Sequence, residues 1–369
     1  MTYKIAVVGG DGTGPEVVAE GLKCLEAVSS KYDIDFQLDT FDFGAKRYLE
    51  TGQVLSDDEI EALKGYDAIY LGAIGDPAVT PGILERGILL KLRFDLDQYI
   101  NYRPVKLYES VYTPIKDKTH EHIDYVVVRE NTGGLYVGAG NIKDKGTAEE
   151  VATQEMIYSR KQVERCLRFA FESVRKRHQD APWKGLSAED KANGYIGKLT
   201  LCGKTNVLNY VFDLWQRVFD ELAEEFTDVK CDYTHVDAVC IYMVECPERF
   251  DVIVTSNMFG DIITDLAAVT QGGMGVAASA NINPEGVSMF EPIGGTAPSF
   301  TGLNQINPMA AIGAAHMMLD YLGEPEAALA LEEAKKAVIL KMDSMQAAKM
   351  GYGTDQIGDM VVAELKANV

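Results

Sequence analysis

Short apolar runs alternating with helix-period segments set the tightest limit on what this chain can fold into. Residues 4–8, 34–38, 68–71, 123–128, 198–202, 229–233 and 252–255 are such runs, most continuous at 68–71 and 123–128. A strand apolar on both faces is buried on both faces, the habit of parallel sheets sandwiched by helices. Between the runs the apolar spacing changes to that of a helix. Pro15 opens one such segment, with Val18, Leu22 and Leu25 on a single face. Residues 84–98 and 156–177 read as further helices, and the chain from Pro308 onward is mostly helical. The alternation predicts an α/β architecture with a mainly parallel core. Residues 179–197 are polar and hold Pro182, Gly185 and Gly194, so they read as an exposed excursion.

At 369 residues the chain exceeds one ordinary hydrophobic core, and two domains are expected. Its net charge of -21 argues against nucleic acid or an anionic membrane surface as a partner, since both require cationic surface. An acidic chain that binds anions must gather a few cations locally, so clustered arginines are informative. Cys24, Cys166, Cys202, Cys231, Cys240 and Cys246 form no CxxC pair and are expected as free thiols. No basic stretch leads into an apolar signal segment, and no apolar run reaches membrane-spanning length, so a cytoplasmic protein is expected.

Several motifs point to chemistry. Gly9–Gly14 follows the first strand and precedes a helix; it reads equally as an anion-binding turn or a plain strand-to-helix turn. It also spells the GGDGT of certain kinases, which would require a phosphotransferase. Arg93 and Arg103 lie ten residues apart, and Arg129 follows an apolar strand directly ahead of Gly133 and Gly134. Guanidinium groups bind carboxylates bidentately, so three converging arginines suit a dicarboxylate, whereas isolated ones serve surface ion pairs. Asp261 and Asp265 share one helix face if their segment is helical. Their mutual repulsion makes a cation between them reasonable, and oxygen ligands favour Mg²⁺ or Mn²⁺. Asp237 is a third candidate ligand. Lys204 and Tyr136 are candidate proton carriers. The glycine- and proline-rich loop from Glu291 to Pro298 is a structural turn or a backbone cradle for a cofactor.

In this order, and from Gly10 nearly to the end of the chain, the motifs resemble those of the β-decarboxylating dehydrogenases, which include isopropylmalate, isocitrate, homoisocitrate and tartrate or D-malate enzymes. The resemblance implies two α/β domains around a shared central sheet, distinct from the standard Rossmann fold. Residues 1–99 and 271–369 would form a discontinuous cofactor-binding domain, and 100–270 a substrate, metal and dimerisation domain. It implies a homodimer with shared active sites. Arg93, Arg103 and Arg129 would hold the substrate, with Asp237 beside it. Asp261 and Asp265 would bind the metal with Asp237 of a second copy, whose Lys204 would join Tyr136 in moving protons. Glu291, Gly294, Gly295, Thr296, Ala297, Ser299 and Asn307 would hold NAD.

Ile88, Leu89 and Leu90 stand where isocitrate enzymes carry polar residues for a third carboxylate. Leu89 and Leu90 would face an apolar substituent, with Ile88 in support. The match is to the isopropylmalate pattern: oxidation and decarboxylation of (2R,3S)-3-isopropylmalate to 2-oxoisocaproate in leucine biosynthesis. D-malate or tartrate oxidation is the alternative within the family, and a non-catalytic regulatory paralogue the alternative outside catalysis. Two positions depart from the family pattern. Gly294 removes an imidazole that stacks on adenine, and Ser299 replaces an aspartate that meets the ribose 2′-hydroxyl. The Lys-Tyr pair of NADP-using relatives is also absent, because Ser299-Phe300 stands there.

Overall fold

Twelve strands are assigned in the computed structural model, which describes residues 2–367. They are β1 (Thr2–Gly10), β2 (Asp35–Phe41), β3 (Ala68–Ala73), β4 (Ile100–Lys106), β5 (Asp124–Glu130), β6 (Gly140–Lys143), β7 (Val151–Gln154), β8 (Gly197–Gly203), β9 (Val229–His235), β10 (Val252–Thr255), β11 (Ala278–Ile282) and β12 (Ser288–Pro292). Each of the seven apolar runs falls on a strand, although Ile34 and Ile123 stand just ahead of theirs. The chain divides into two units, Met1–Gln98 with Arg103–His120 and Ala268–Val369, and Tyr99–Tyr102 with Glu121–Ala267. The segment after Arg103, expected in the second domain, packs with the first unit. There the Lys106 amide donates to Gln271 Oε1 at 2.8 Å, and Tyr108 OH donates to Glu332 Oε1 at 3.1 Å.

In the first unit the strand order is β2-β1-β3-β12-β11. β1 runs parallel to β2 and β3, and β12 parallel to β3, while β11 is antiparallel to β12. Helix Gly14–Tyr32 packs against Met309–Tyr321 and Thr354–Ala367. A separate cluster joins Val8, Ile69, Leu71 and Met289 of the strands to Leu84, Ile88, Leu92 and Leu96. The segment read as one helix over 84–98 is a π-helical turn, Glu85–Leu90, running into helix Lys91–Asp95.

The second unit has the order β5-β10-β8-β9, parallel throughout. Helices Arg160–Arg177 and Asn209–Glu225 pack together, with Phe171 stacked on Phe219 at 5.5 Å. The first begins four residues later than its apolar pattern. Ser159 closes a capping box with Gln162 and fixes the start. The polar excursion is not wholly exposed. It holds a short helix, Ala188–Ala192, and buries Trp183. All six cysteines are free thiols. Among the described residues no helix is long and apolar enough to cross a membrane.

Candidate active site

In the first unit a cavity of about 130 Å³ lies at the carboxyl ends of the parallel strands β3 and β12, where open α/β sheets bind ligands. Leu89, Arg93, Arg103, Glu291, Gly294 and Gly295 all line it. The π-helical turn brings Leu89 and Arg93 to one cavity, as apolar and cationic neighbours. Arg93 Nη2 donates to Glu291 Oε1 at 3.0 Å, and Asn281 Nδ2 donates to the same oxygen at 2.7 Å. Arg93 Nε is buried with no protein partner. An unmet donor of a buried guanidinium is a ready place for a carboxylate. Leu90 is half-buried and does not line this cavity, and Ile88 is fully buried in the core cluster beneath Leu89.

The glycine turn after β1 is built for packing. Asp11 is buried, and its carboxylate accepts from the Ala45 amide at 2.7 Å and the Gly75 amide at 2.9 Å. The Thr13 amide donates to Thr296 O at 2.8 Å. A Cβ on Gly12 would stand 2.2 Å from that same oxygen. The turn therefore holds the 291–298 loop in place. With Asp11 committed to two backbone amides, the kinase reading of GGDGT has no support. Gly295 and Ser299 are exposed, and Gly294, Thr296 and Ala297 are half-buried. Ala297 has φ of 40°, a left-handed conformation. Asn307 is buried with both ends of its amide occupied, Nδ2 donating to Met345 O and Oδ1 accepting from the Met309 amide, each at 3.0 Å. Its side chain thus fixes the start of the following helix.

The second unit gathers Arg129, Tyr136 and Asp261. Arg129 is the last residue but one of β5 and is 1% exposed. Its Nε and Nη2 donate to Asn257 Oδ1 at 3.0 and 2.7 Å, and its Nη1 donates to Asp261 Oδ1. Tyr136 OH donates to Asp261 Oδ2 at 2.5 Å, and the guanidinium lies 5.3 Å from the Tyr136 ring centre. Helix Asn257–Thr270 crosses Arg129 closely, and Gly260 permits this. A Cβ there would fall 2.5 Å from Arg129 Cγ. Glu130 is fully buried. Burial raises its carboxyl above the ordinary range, although the Thr132 and Gly133 amides donate to it at 2.9 and 2.8 Å.

Asp261 and Asp265 lie one helical turn apart on this helix, half-buried and exposed respectively. Their hard oxygen donors fit Mg²⁺ or Mn²⁺. Among the described residues of one chain, no three acidic, histidine or cysteine side chains group as metal ligands. Lys204, after β8, donates to Asp237 Oδ1 at 2.7 Å. That hydrogen bond holds the Asp237 carboxyl below its ordinary range.

Asn257 and Gly260, which touch Arg129, and Asn281, which donates to Glu291, join the candidate site, and the sequence reading did not single them out. The first two stand in the same Asn-Met-Phe-Gly-Asp stretch that drew attention to Asp261. A glycine inside a helical pattern, next to a candidate ligand, was the available signal.

The family model described as isocitrate/isopropylmalate dehydrogenase matches residues 4–361. A 3-isopropylmalate dehydrogenase of Thermobifida fusca is 46% identical, over 97% of this chain and 96% of its own. One of Streptomyces coelicolor is 47% identical, over 99% of each. Among solved structures, an isocitrate dehydrogenase of Methylococcus capsulatus superposes with a TM-score of 0.84 at 32% identity, covering 99% of both chains. A β-decarboxylating dehydrogenase of Thermococcus kodakarensis in its apo form gives 0.76 at 29% identity, over 99% of this chain and 96% of that one.

Proposed function

The chain belongs to the isocitrate/isopropylmalate dehydrogenase family, and we propose that it oxidises and decarboxylates (2R,3S)-3-isopropylmalate to 2-oxoisocaproate, with NAD as acceptor. The carrying observation is that Leu89 and Arg93 line one cavity. An alkyl substituent finds an apolar wall beside a carboxylate-binding guanidinium, at about 0.8 kcal/mol per buried CH₂. A carboxylate against Leu89 would lose hydration without a partner. The relatives' names support the same substrate.

Arg93, Arg103 and Arg129 hold and orient the substrate carboxylates in this reading. Asn257 and Asp261 fix the Arg129 guanidinium, so its geometry is set before substrate arrives. A bound NAD would supply the hydride acceptor for C2, and a Mg²⁺ or Mn²⁺ ion, which Asp261, Asp265 and the partner subunit's Asp237 would hold, would supply Lewis acidity toward the substrate oxygens. Lys204 of the second copy, kept in place by Asp237, removes the 2-hydroxyl proton. Loss of CO₂ leaves an enolate whose carbon takes the phenol proton of Tyr136. Gly294, Gly295 and Thr296 offer a backbone surface to the dinucleotide, with Ala297 and Ser299 beside them. Glu291 supports that loop through Arg93. Leu90 and Asn307 have supporting places only.

A substrate panel tests this reading: 3-isopropylmalate, D-malate, tartrate, isocitrate and homoisocitrate, each with NAD and NADP. The expected result is the highest kcat/KM for 3-isopropylmalate with NAD, and a lower one for D-malate. A preference for D-malate or tartrate overturns the substrate. A preference for NADP overturns the cofactor.

A further inference from the structure

A second cavity, of about 300 Å³, opens in the first unit and shares no lining residue with that of Leu89 and Arg93. Its size falls within the range of small-molecule pockets, about 300 to 1,000 Å³. Its charged lining centres on Glu332. Its carboxylate accepts from Lys335 Nζ at 2.7 Å, Tyr108 OH at 3.1 Å and Lys106 Nζ at 3.4 Å, and His316 Nδ1 stands 4.0 Å away. The Lys335 side chain is only 5% exposed and that of Glu332 10%. Three lysines, Lys106, Lys335 and Lys336, line the space against this one glutamate. Glu333 meets Lys336 at 2.5 Å. Lys106 and Lys335 are left to share a single carboxylate, a local cationic excess inside a chain of net charge -21. Two buried or half-buried ammonium groups around one carboxylate favour a second anion.

Apolar side chains complete the lining, from Val276, Ala278, Met317 and Leu329. Gly313, within helix Met309–Tyr321, also lines the cavity. Glycine is a weak helix former, and this one is not in the left-handed region. What it supplies is space. A Cβ there would stand 3.4 Å from Lys335 Nζ and 3.2 Å from Ala278 Cβ. The bare backbone leaves the ammonium open to the cavity. Burial and the Lys335 charge hold His316 neutral at ordinary pH, so the histidine adds no competing need for a counter-ion.

We propose that this cavity is a second small-molecule site, which takes a short aliphatic monocarboxylate with its carboxylate on Lys106 and Lys335 and its alkyl body against Met317 and Leu329. A purely structural ion-pair cluster has the same hydrogen bonds but binds nothing, so a binding measurement separates the two.

The test is calorimetric titration of the full-length protein with isovalerate, with the uncharged 3-methylbutanamide of the same shape for comparison. Isovalerate is expected to bind at least about tenfold more tightly than the amide. Lys106→Met and Gly313→Ala should each weaken it by about tenfold or more, the first by removing a cation and the second by covering Lys335. Arg93→Met, which alters the other cavity, should leave isovalerate binding unchanged. Lys106 is 40% exposed at its side chain, so its replacement tests the idea even if Gly313→Ala fails to fold. Absence of binding at about 10 mM, equal binding of the amide, indifference to Lys106→Met, or loss in Arg93→Met would each overturn the proposal.

Discussion

At Gly260 two effects of a single methyl group oppose each other. Replacing an interior helix glycine by alanine usually stabilises by about 1 kcal/mol. Here the new Cβ would stand 2.5 Å from Arg129 Cγ and 2.6 Å from its Cβ. Arg129 is clamped by Asn257 and Asp261 and has nowhere to retreat. Overpacking of a fixed side chain costs about 1–3 kcal/mol, so strain should win. Gly260→Ala is expected to lower Tm and reduce kcat/KM by about a hundredfold through the displaced guanidinium. Thermal unfolding and steady-state kinetics check it, and an unchanged kcat/KM would show that the clamp is not needed. The charged residues of this cluster were legible, because arginine at a strand end and aspartates at helical spacing carry their own chemistry. Asn257 and Gly260 were not, because their role is to hold and clear a neighbour, and neither task leaves a pattern in residue type. Asn307 shows the converse. Its position suits a ligand, but both ends of its amide are used inside the protein.

Element by element, legibility followed burial chemistry. The apolar strands announced themselves, and β10 was found to the residue. β4 escaped because Asn101, Arg103 and Pro104 interrupt it, and β11 because it buries Ser279 and Asn281. The π-helical turn over Glu85–Leu90 has no sequence signature, yet it sets what Leu89 and Arg93 face. Helices Met309–Tyr321 and Pro325–Ile339 are joined by a further feature that apolar periodicity cannot show, the contact of His316 with Glu332. Burial, and then the Lys335 charge, lower the imidazole from 6.5 to about 4, against the opposite pull of Glu332 and Asp320; Lys106 adds to the lowering. Burial pushes Glu332 upward, but Lys335, His316 and Lys106 outweigh it and hold the carboxyl at about 2 instead of 4.5. Both groups bind fewer protons in the folded state than in the unfolded one. Stability is therefore complete above pH 6.5. It falls between 6.5 and 4 through His316, and between 4.5 and 2 through Glu332. The His316 side chain is 29% exposed, so solvent screens part of its share. In His316→Gln the loss of Tm between pH 6.5 and 4.5 should be smaller than in the wild type. An identical slope would assign acid sensitivity to other groups.

For the whole molecule, the α/β class followed from strand and helix alternation, but single-chain patterning cannot show which surfaces meet a second copy. Exposed apolar side chains mark candidate surfaces for one. β6 and β7 form a two-stranded hairpin in which every residue is exposed, including Ile142 and Val151. An isolated hairpin is marginal in water. Ile241 and Val244 on helix Val236–Glu245, and Met258 and Ile262 on Asn257–Thr270, are also exposed. Exposed apolar side chains on several elements suit an interface. The same elements carry Asp237, Asp261 and Asp265, and one chain groups no three such ligands among its described residues. In a dimer with shared sites, Lys204 of one copy serves Tyr136 of the other. Lys204→Ala and Tyr136→Phe homodimers would each lack one of these residues at both sites. A mixed dimer would place both defects in one site and leave the other intact. Random subunit exchange makes about half the dimers mixed, and each mixed dimer has one working site of two, so about a quarter of wild-type activity should return. Exchange verified by native mass spectrometry, followed by assay of the mixture, measures this. Activity that stays at the level of the two separate variants after full exchange would mean that Lys204 and Tyr136 act within one chain.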